Sequence, residues 1–356
     1  MIVIHVLVVD DSAFMRKLIS DFINEQSDMK AAGTARNGED ALNKLAAGHY
    51  DVVTLDIEMP VMGGLTALRK IMIKERPLPV VMVSSLTVQG ATQTLEAMDI
   101  GAVDVVAKPS GSISLNLHEV KEELIYKIRA AAGVNMEAHL NRGRRKAEMV
   151  VRIPTKPAAV TGSAVIGIGT STGGPKALQY ILPRLQADLR APIFIVQHMP
   201  PGFTRSLADR LNRESSITVK EAAHDETAEK GTVYIAPGGK QLSVEKREHS
   251  LVMKVTEAPP VNGHRPSVDV LFSSLARLHD YDMTGIILTG MGRDGARGLK
   301  EMKQQGNCVA VAESEKTAIV YGMPKAAFEE TDIDYSLELG ELPSFLNSQH
   351  SLSLHH

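Results

Sequence analysis

The sequence predicts an α/β protein of two doubly wound domains, each a mostly parallel sheet with helices on both faces, and a β-hairpin added to the second. Three observations lead there. Short apolar runs alternate with amphipathic stretches in two separate series, as βα units in parallel sheets require. A stretch with two prolines, small residues and the basic run Arg142, Arg144, Arg145 and Lys146 separates the series, and its lack of period reads as a linker. The 356 residues suffice for two cores of ordinary size.

The first series opens with HVLVV, which ends at paired acids. It lacks the basic start, long apolar core and small-residue cleavage site of a secretion signal, and so reads as a strand. A helical period follows over Ala13 to Asn24, then the strand MKAAGTA, a helix from about Gly38, the strand DVVTLDI and a helix over Leu65 to Ile73. The strands PVVMVSS and VDVVAKP and a helix over His118 to Ala132 close the unit. The second series supplies AVIGIGT, APIFIVQHM, SITVKEA, TVYIAP, SLVMKVTE, GIILTGMG and CVAVAES as strands, and TVYIAPGGKQLSVEKREHSLVMKV has hairpin spacing. The expected boundaries are 1–125 for the first domain, 126–162 for the linker and 163–345 for the second domain. The chain is expected to fray from about Asn347, and His355 and His356 are assigned nothing.

Composition excludes several classes. The single cysteine, Cys308, rules out an internal disulfide framework, and its apolar flanks indicate a packed thiol, in keeping with a reducing cytoplasm. No run approaches the roughly 18 apolar residues that span a bilayer, so no membrane insertion is expected. A net charge of -3, no tryptophan and 4% aromatics disfavour a nucleic-acid surface. The short basic run reads as a solvated linker.

In the first domain, chemistry-bearing residues fall at strand ends: Asp10 and Asp11 after HVLVV, Asp56 after VVTL, Ser84 after PVVMV, and Lys108 after DVVA. The carboxyl edge of an open parallel sheet is where such residues converge. Three carboxylates gathered there repel one another unless cations sit among them. A hard divalent ion and Lys108 would supply that charge, a site suited to phosphoryl transfer onto a carboxylate. The motifs Asp-Asp-Ser, Leu-Asp56-Ile-Glu-Met-Pro, Val-Ser84-Ser and Ala-Lys108-Pro resemble those of a response-regulator receiver domain, over about residues 1 to 125. The resemblance implies a flavodoxin-like fold and Asp56 as phosphoacceptor. It places Asp10 and Asp11 in the acidic pocket and implies a Mg2+ ion held by Asp11, Asp56 and the Glu58 main-chain carbonyl. Val105 stands where receivers often carry an aromatic.

The second domain opens on the glycine-rich GIGTSTGG, Gly167 to Gly174. A P-loop needs Gly-Lys-Ser/Thr, whereas Pro175 follows Gly174. A dinucleotide fingerprint needs a third glycine where Thr172 stands, and an acid where the next strand ends in Gln197-His198. G-x-S-x-G between a strand and a helix is satisfied, which presents Ser171 as a nucleophile near a helix N-terminus. His198, at the end of the next apolar strand, is the base favoured over His264. Asp294, after GIILTGMG, is the orienting carboxylate favoured over Asp269 and Asp282.

IGTSTGGPKAL, QHMPPGFTRSLADRLN, YIAPGGKQL, PPVNGHRPSVDVLF, ILTGMGRDGA and YGMPKAA, over about residues 163 to 330, resemble the catalytic domain of the chemotaxis protein-glutamate methylesterase family. That resemblance implies a serine carboxylic-ester hydrolase, needing no cofactor for the esterase reaction, that cleaves glutamyl methyl esters on methyl-accepting chemotaxis receptors and deamidates receptor glutamines. It implies a chemotaxis histidine kinase as phosphodonor, oxyanion donors at Thr172, Met291 and Gly292, and a receiver that covers the esterase site until phosphorylated. Arg205 and Arg265 are candidates for attracting an acidic receptor helix. The rival class is a DNA-binding response regulator with an α/β effector, for which the sequence offers neither a recognition helix nor a basic surface.

Overall fold

The computed structural model describes residues 3–109, 116–141, 163–305 and 307–350. The chain divides into two compact units, Met1–Asn141 and Arg142–His356.

In the first unit, five strands form one parallel sheet: β1 (Ile4–Val9), β2 (Met29–Ala35), β3 (Val52–Asp56), β4 (Val80–Ser84) and β5 (Asp104–Ala107), in the order β2-β1-β3-β4-β5. This is the flavodoxin-like order, with its switch point between β1 and β3. Every residue of β3, β4 and β5 is buried, which is why these strands read as continuous apolar runs. Helices α1 (Ala13–Asn24), α2 (Gly38–Ala47), α3 (Gly64–Met72), α4 (Val88–Ile100), α5 (Asn116–Ala132) and α6 (Met136–Asn141) complete it. Ser12, Asn37 and Thr87 cap α1, α2 and α4 by accepting the N–H of Met15, Asp40 and Gly90, satisfying donors that a helix leaves unpaired.

The boundary expected after residue 125 falls inside α5, and the first unit runs on through α6. Buried contacts hold this extension. Lys127 is 2% exposed, and its ammonium meets the Val105 carbonyl at 2.5 Å, Glu123 at 2.8 Å and Asp104 at 3.1 Å. His139, in α6, is buried with Nε2 3.2 Å from the carbonyls of Gly101 and Ala102. The basic run at 142–146, the rest of the expected linker and the terminal histidines lie outside the described residues.

The second unit is a seven-stranded sheet, β14-β13-β12-β6-β7-β9-β8, in which every pairing is parallel. Its strands are β6 (Ser163–Thr170), β7 (Ile193–Gln197), β8 (Thr218–Glu221), β9 (Thr232–Ile235), β12 (Tyr281–Ile287), β13 (Cys308–Glu313) and β14 (Tyr335–Leu337). The hairpin is β10 (Gln241–Arg247) with β11 (Ser250–Thr256), a separate antiparallel pair. TVYIAP is therefore not a hairpin arm; β9 lies between β7 and β8 because all four of its residues are buried.

The helices are α7 (Gly174–Ile181), α8 (Phe203–Glu214), α9 (Val268–Leu275), α10 (Ala296–Gln305), α11 (Met323–Glu330) and α12 (Leu342–His350). A core cluster joins Phe194 and Tyr234, stacked at 5.6 Å, to Phe272 and Leu275 of α9 and to Leu242 and Met253 of the hairpin. No helix among the described residues is long and apolar enough to cross a membrane.

Candidate active site and receiver site

The central strands β12, β6 and β7 carry the second unit's polar residues at their carboxyl ends. Register pairs Thr170 of β6 with Gln197 of β7, so Ser171 and His198 are the next residues on adjacent parallel strands. The His198 N–H donates to the Thr170 carbonyl at 3.2 Å, and the Ser171 N–H donates across to the Thr289 carbonyl at 3.0 Å. Gln197 Nε2 donates to both the Ser171 carbonyl at 3.0 Å and the His198 carbonyl at 3.3 Å. Gly290 fits so closely that an added Cβ would stand 2.8 Å from that of Ser171.

Asp294, between β12 and α10, completes the cluster. Its Oδ2 accepts from His198 Nε2 at 2.9 Å and from the Val268 N–H at 2.6 Å. Its Oδ1 accepts from Ser267 Oγ at 2.7 Å, Asn262 Nδ2 at 3.1 Å and the Asp269 N–H at 3.2 Å. Burial alone would push this carboxyl up, but the bond and charge of His198, with the charge of His264 and the Ser267 hydroxyl, hold it well below the usual carboxylate range.

Because the carboxylate accepts, Nε2 carries the imidazole proton and Nδ1 keeps its lone pair. Nδ1 and the Ser171 hydroxyl are both buried and have no hydrogen-bond partner among the described residues. Buried polar atoms are normally paired. Ser171 Oγ and His198 Nδ1 are thus, among the described residues, two unpaired polar atoms beside the His198–Asp294 bond.

The structure thus brings Ser171, His198 and Asp294 to one edge. The rivals take other places. His264 stacks on His198, with ring centroids 3.9 Å apart and planes 6° from parallel. Asp269 accepts the N–H groups of Gly295 and Gly298, and burial pushes its carboxyl up. Asp282 is at the start of β12, on the opposite edge. The Thr172 carbonyl accepts from Thr289 Oγ1 at 2.9 Å. Met291 and Gly292 are half-buried and follow directly on Gly290, the latter with φ +85°. Arg205 is exposed on α8 and Arg265 is half-buried.

Several residues here escaped the sequence reading. Thr289 is a hub: its carbonyl holds Ser171, its hydroxyl binds the Thr172 carbonyl and the Val320 N–H, and its own N–H donates to the buried Glu313 at 2.8 Å. Gln197, Ser267 and Asn262 are the others. The only advance signal was polar residues at ends of apolar strands, which Gln197, Thr289 and Glu313 share with His198.

In the first unit, Asp10, Asp11 and Asp56 each offer an oxygen, all within 4.8 Å of one another. Asp10 and Asp56 are buried, Asp11 is exposed, and the Lys108 ammonium lies 3.0 Å from Asp10 and 2.7 Å from Asp56. Burial raises the Asp56 carboxyl to about 6, against the lowering effect of Lys108. Burial pulls the Lys108 ammonium down, but Asp56 and Asp10 raise it above its ordinary value. Ser84 ends the neighbouring strand, its hydroxyl donating to the Gly90 carbonyl at 3.3 Å. The Glu58 side chain is exposed and outside the carboxylate cluster. Three carboxylates form an all-oxygen donor set suited to a hard divalent cation such as Mg2+.

Residues 166–346 match the family model for CheB methylesterase, and residues 6–118 match that for the response regulator receiver domain. Together with the folds above, these matches define a receiver-linked α/β esterase. The protein-glutamate methylesterase/protein-glutamine glutaminase of Geobacillus kaustophilus is 52% identical over 339 residues, covering 95% of this chain and 96% of that one. The protein of the same description from Bacillus subtilis is 51% identical over 337 residues, 91% of this chain and 92% of that one. The crystal structure of the Thermotoga maritima CheB methylesterase catalytic domain is 40% identical with a TM-score of 0.50, covering 52% of this chain and 98% of its own. The chain belongs to the CheB methylesterase family. These matches give no support to the DNA-binding alternative.

Proposed function

We propose that this chain is a phosphorylation-controlled protein-glutamate methylesterase that hydrolyses glutamyl methyl esters on methyl-accepting chemoreceptors in the cytoplasm and deamidates glutamines there. The observation that supports the chemistry is that Ser171 Oγ and His198 Nδ1, on adjacent strand ends, are each buried without a partner among the described residues, while Asp294 holds His198 Nε2 at 2.9 Å. Ser171 Oγ attacks the ester carbonyl while His198 Nδ1 takes its proton, and Asp294 stabilises the resulting imidazolium through Nε2. His198 returns the proton to the departing methoxide, and methanol leaves. A water activated by the same imidazole then cleaves the acyl-serine, restoring the Ser171 hydroxyl and leaving a glutamate side chain on the receptor. An amide passes through a similar tetrahedral oxyanion, which accounts for glutamine as a second substrate. The N–H groups of Thr172, Met291 and Gly292 stabilise that oxyanion, each contributing on the order of 3 kcal/mol to the barrier.

Control falls to the first unit. Asp56 accepts a phosphoryl group from a chemotaxis histidine kinase, and Lys108 pairs with the added charge. Asp10, Asp11 and Asp56, with the Glu58 main-chain carbonyl, would hold Mg2+, which neutralises phosphate oxygens when bound. Two measurements test this reading. Methanol release from methylated receptor by Ser171→Ala should fall at least about 10³-fold below wild type; equal release removes the nucleophile assignment. Asp56→Asn should abolish stimulation by a small-molecule phosphodonor while basal release persists.

A further inference from the structure

Asp294 and Asp269 cap each other's helices. Asp294, two residues before α10, accepts the first N–H groups of α9, from Val268 at 2.6 Å and Asp269 at 3.2 Å. Asp269, in the first turn of α9, accepts the N–H groups at the start of α10 on its Oδ1, from Gly295 at 3.0 Å and Gly298 at 2.8 Å. Both carboxylates are 2% exposed. Asn262 Nδ2 bridges them, 2.8 Å from Asp269 Oδ2 and 3.1 Å from Asp294 Oδ1, and the Arg297 guanidinium stands 3.5 Å from Asp269 Oδ2.

The exchange depends on close approach of α9 and α10. A Cβ at position 298 would lie 2.6 Å from Phe272 Cβ and 3.0 Å from the Asp269 carbonyl, and Gly295 has φ +95° with Val268 Cγ1 2.5 Å from its absent Cβ. Only one member of the pair touches His198. The other fixes the backbone immediately after it: Gly295, the residue next to Asp294, hangs on Asp269 Oδ1.

We propose that Asp269 is a positioning residue for the esterase reaction, locking the Asp294 carboxylate against His198 Nε2 through this exchanged pair of caps, with Asn262 as the bridge. Its own hydrogen-bond acceptor, not its charge, does this. The proposal rests on the reading that Asp294 orients His198.

The test is steady-state methanol release from methylated receptor by the full chain. Asp269→Ala removes the acceptor for Gly295 and Gly298; a drift of about 1 Å at the carboxylate corresponds to a loss of kcat of about 10- to 100-fold, with KM little changed. A loosened carboxylate makes Nδ1 less basic, so the acid limb of the kcat/KM profile moves to lower pH. Mere loss of folded protein lowers the amplitude without moving the limb. Asp269→Asn keeps an oxygen acceptor for Gly295 and Gly298 but sets an amide donor against Asn262 Nδ2, so it should recover kcat only in part, to at least about threefold above Asp269→Ala.

Asp269→Asn as slow as Asp269→Ala, wild-type kcat in Asp269→Ala, or a slow Asp269→Ala with an unmoved acid limb would each overturn the proposal. Should Asp269→Ala fail to fold, Asn262→Ala decides: it removes the donor shared by both carboxylates and should lower kcat several-fold with a melting temperature lowered but the chain still folded at assay temperature, and an unchanged kcat refutes the bridge on which the proposal rests. Asp294→Ala separates the two levels. A silent Asp294→Ala beside a fully active Asp269→Ala sinks only the positioning role, whereas an active Asp294→Ala sinks the reading beneath it.

Discussion

Replacing Gln197 by leucine removes one carboxamide that ties the backbone of the nucleophile to that of the base. Its Nε2 holds the Ser171 carbonyl at 3.0 Å and the His198 carbonyl at 3.3 Å, in a side chain only 1% exposed. The stability cost is modest. The Ser171 carbonyl keeps the Gly174 N–H at 2.8 Å, so the main loss is at the His198 carbonyl, for which an unmade buried bond costs about 1–3 kcal/mol. Gln197 Oε1 accepts no hydrogen bond among the described residues, so its removal returns part of that, leaving about 1–2 kcal/mol.

The catalytic cost is larger, because the two strand ends lose their side-chain tie and keep only the backbone bond from the His198 N–H to the Thr170 carbonyl at 3.2 Å; a shift near 1 Å between hydroxyl and imidazole lowers kcat by about 100-fold. Gln197→Glu should be worse than leucine in both respects, since a buried carboxylate cannot donate to either carbonyl and carries an unpaired charge. Gly174→Ala should imitate the defect from the other side, its Cβ falling 2.0 Å from Gln197 Oε1 and 2.4 Å from Thr170 Oγ1. Saturating methanol-release assays paired with denaturant unfolding monitor both quantities. Wild-type kcat in Gln197→Leu, or a fall in rate matched by the fraction unfolded, would refute the tether.

Two further outcomes follow from buried charge. The Asp294 carboxyl titrates below its ordinary value of 3.8, so its ionised form contributes stability that is complete above the unfolded aspartate value, about 3.9, and is lost as pH falls below it. The loss begins near the unfolded value and continues down through the lower folded one, so unfolding of the second unit measured from neutral pH to about pH 3 should show its onset, and Asp294→Asn should flatten it; an equally steep curve in the variant excludes Asp294 as its source. In the first unit, Asp104 and Glu123 outweigh the burial that opposes the Lys127 charge and hold it above the usual lysine range. Lys127→Met leaves the buried Asp104 without its ammonium and should cost about 3–5 kcal/mol, whereas Lys127→Met combined with Asp104→Leu should recover much of it. Receiver unfolding in urea distinguishes these, and additive single effects would show that the pair is uncoupled.

What the sequence made legible follows from how parallel sheets are buried. A strand covered on both faces is a short apolar run, so its end is visible as the first polar residue, and parallel strands of one sheet present those ends at a common edge. Ser171, His198, Asp10, Asp56, Ser84 and Lys108 stand at or just past such ends, whereas Asp294 is read from the loop beyond Ile287, where Thr289 is the first polar residue. Periodicity also located α1 at Ala13–Asn24, to which the structure adds Ser12 as the cap. It did not locate the end of the first unit, because α6 is held by His139 reaching the carbonyls of Gly101 and Ala102, a tertiary contact without a local pattern. Nor did it separate β9 from the hairpin, since alternation within a strand does not say which neighbour it pairs with.

The same limit explains the choice between Asp294 and Asp269. Both are aspartates at helix entrances, both are buried, and their sequence surroundings, SVDVL and GRDGA, describe helix starts equally well. What separates them is which neighbouring helix each one caps, a property of the α9–α10 crossing and not of either segment. Asp294 reaches α9 and there meets His198; Asp269 reaches α10, away from the ring. Because each cap completes the other, two residues that compete as readings of one sequence signal act in the fold as a single device, with Asn262 at its open face holding both carboxylates.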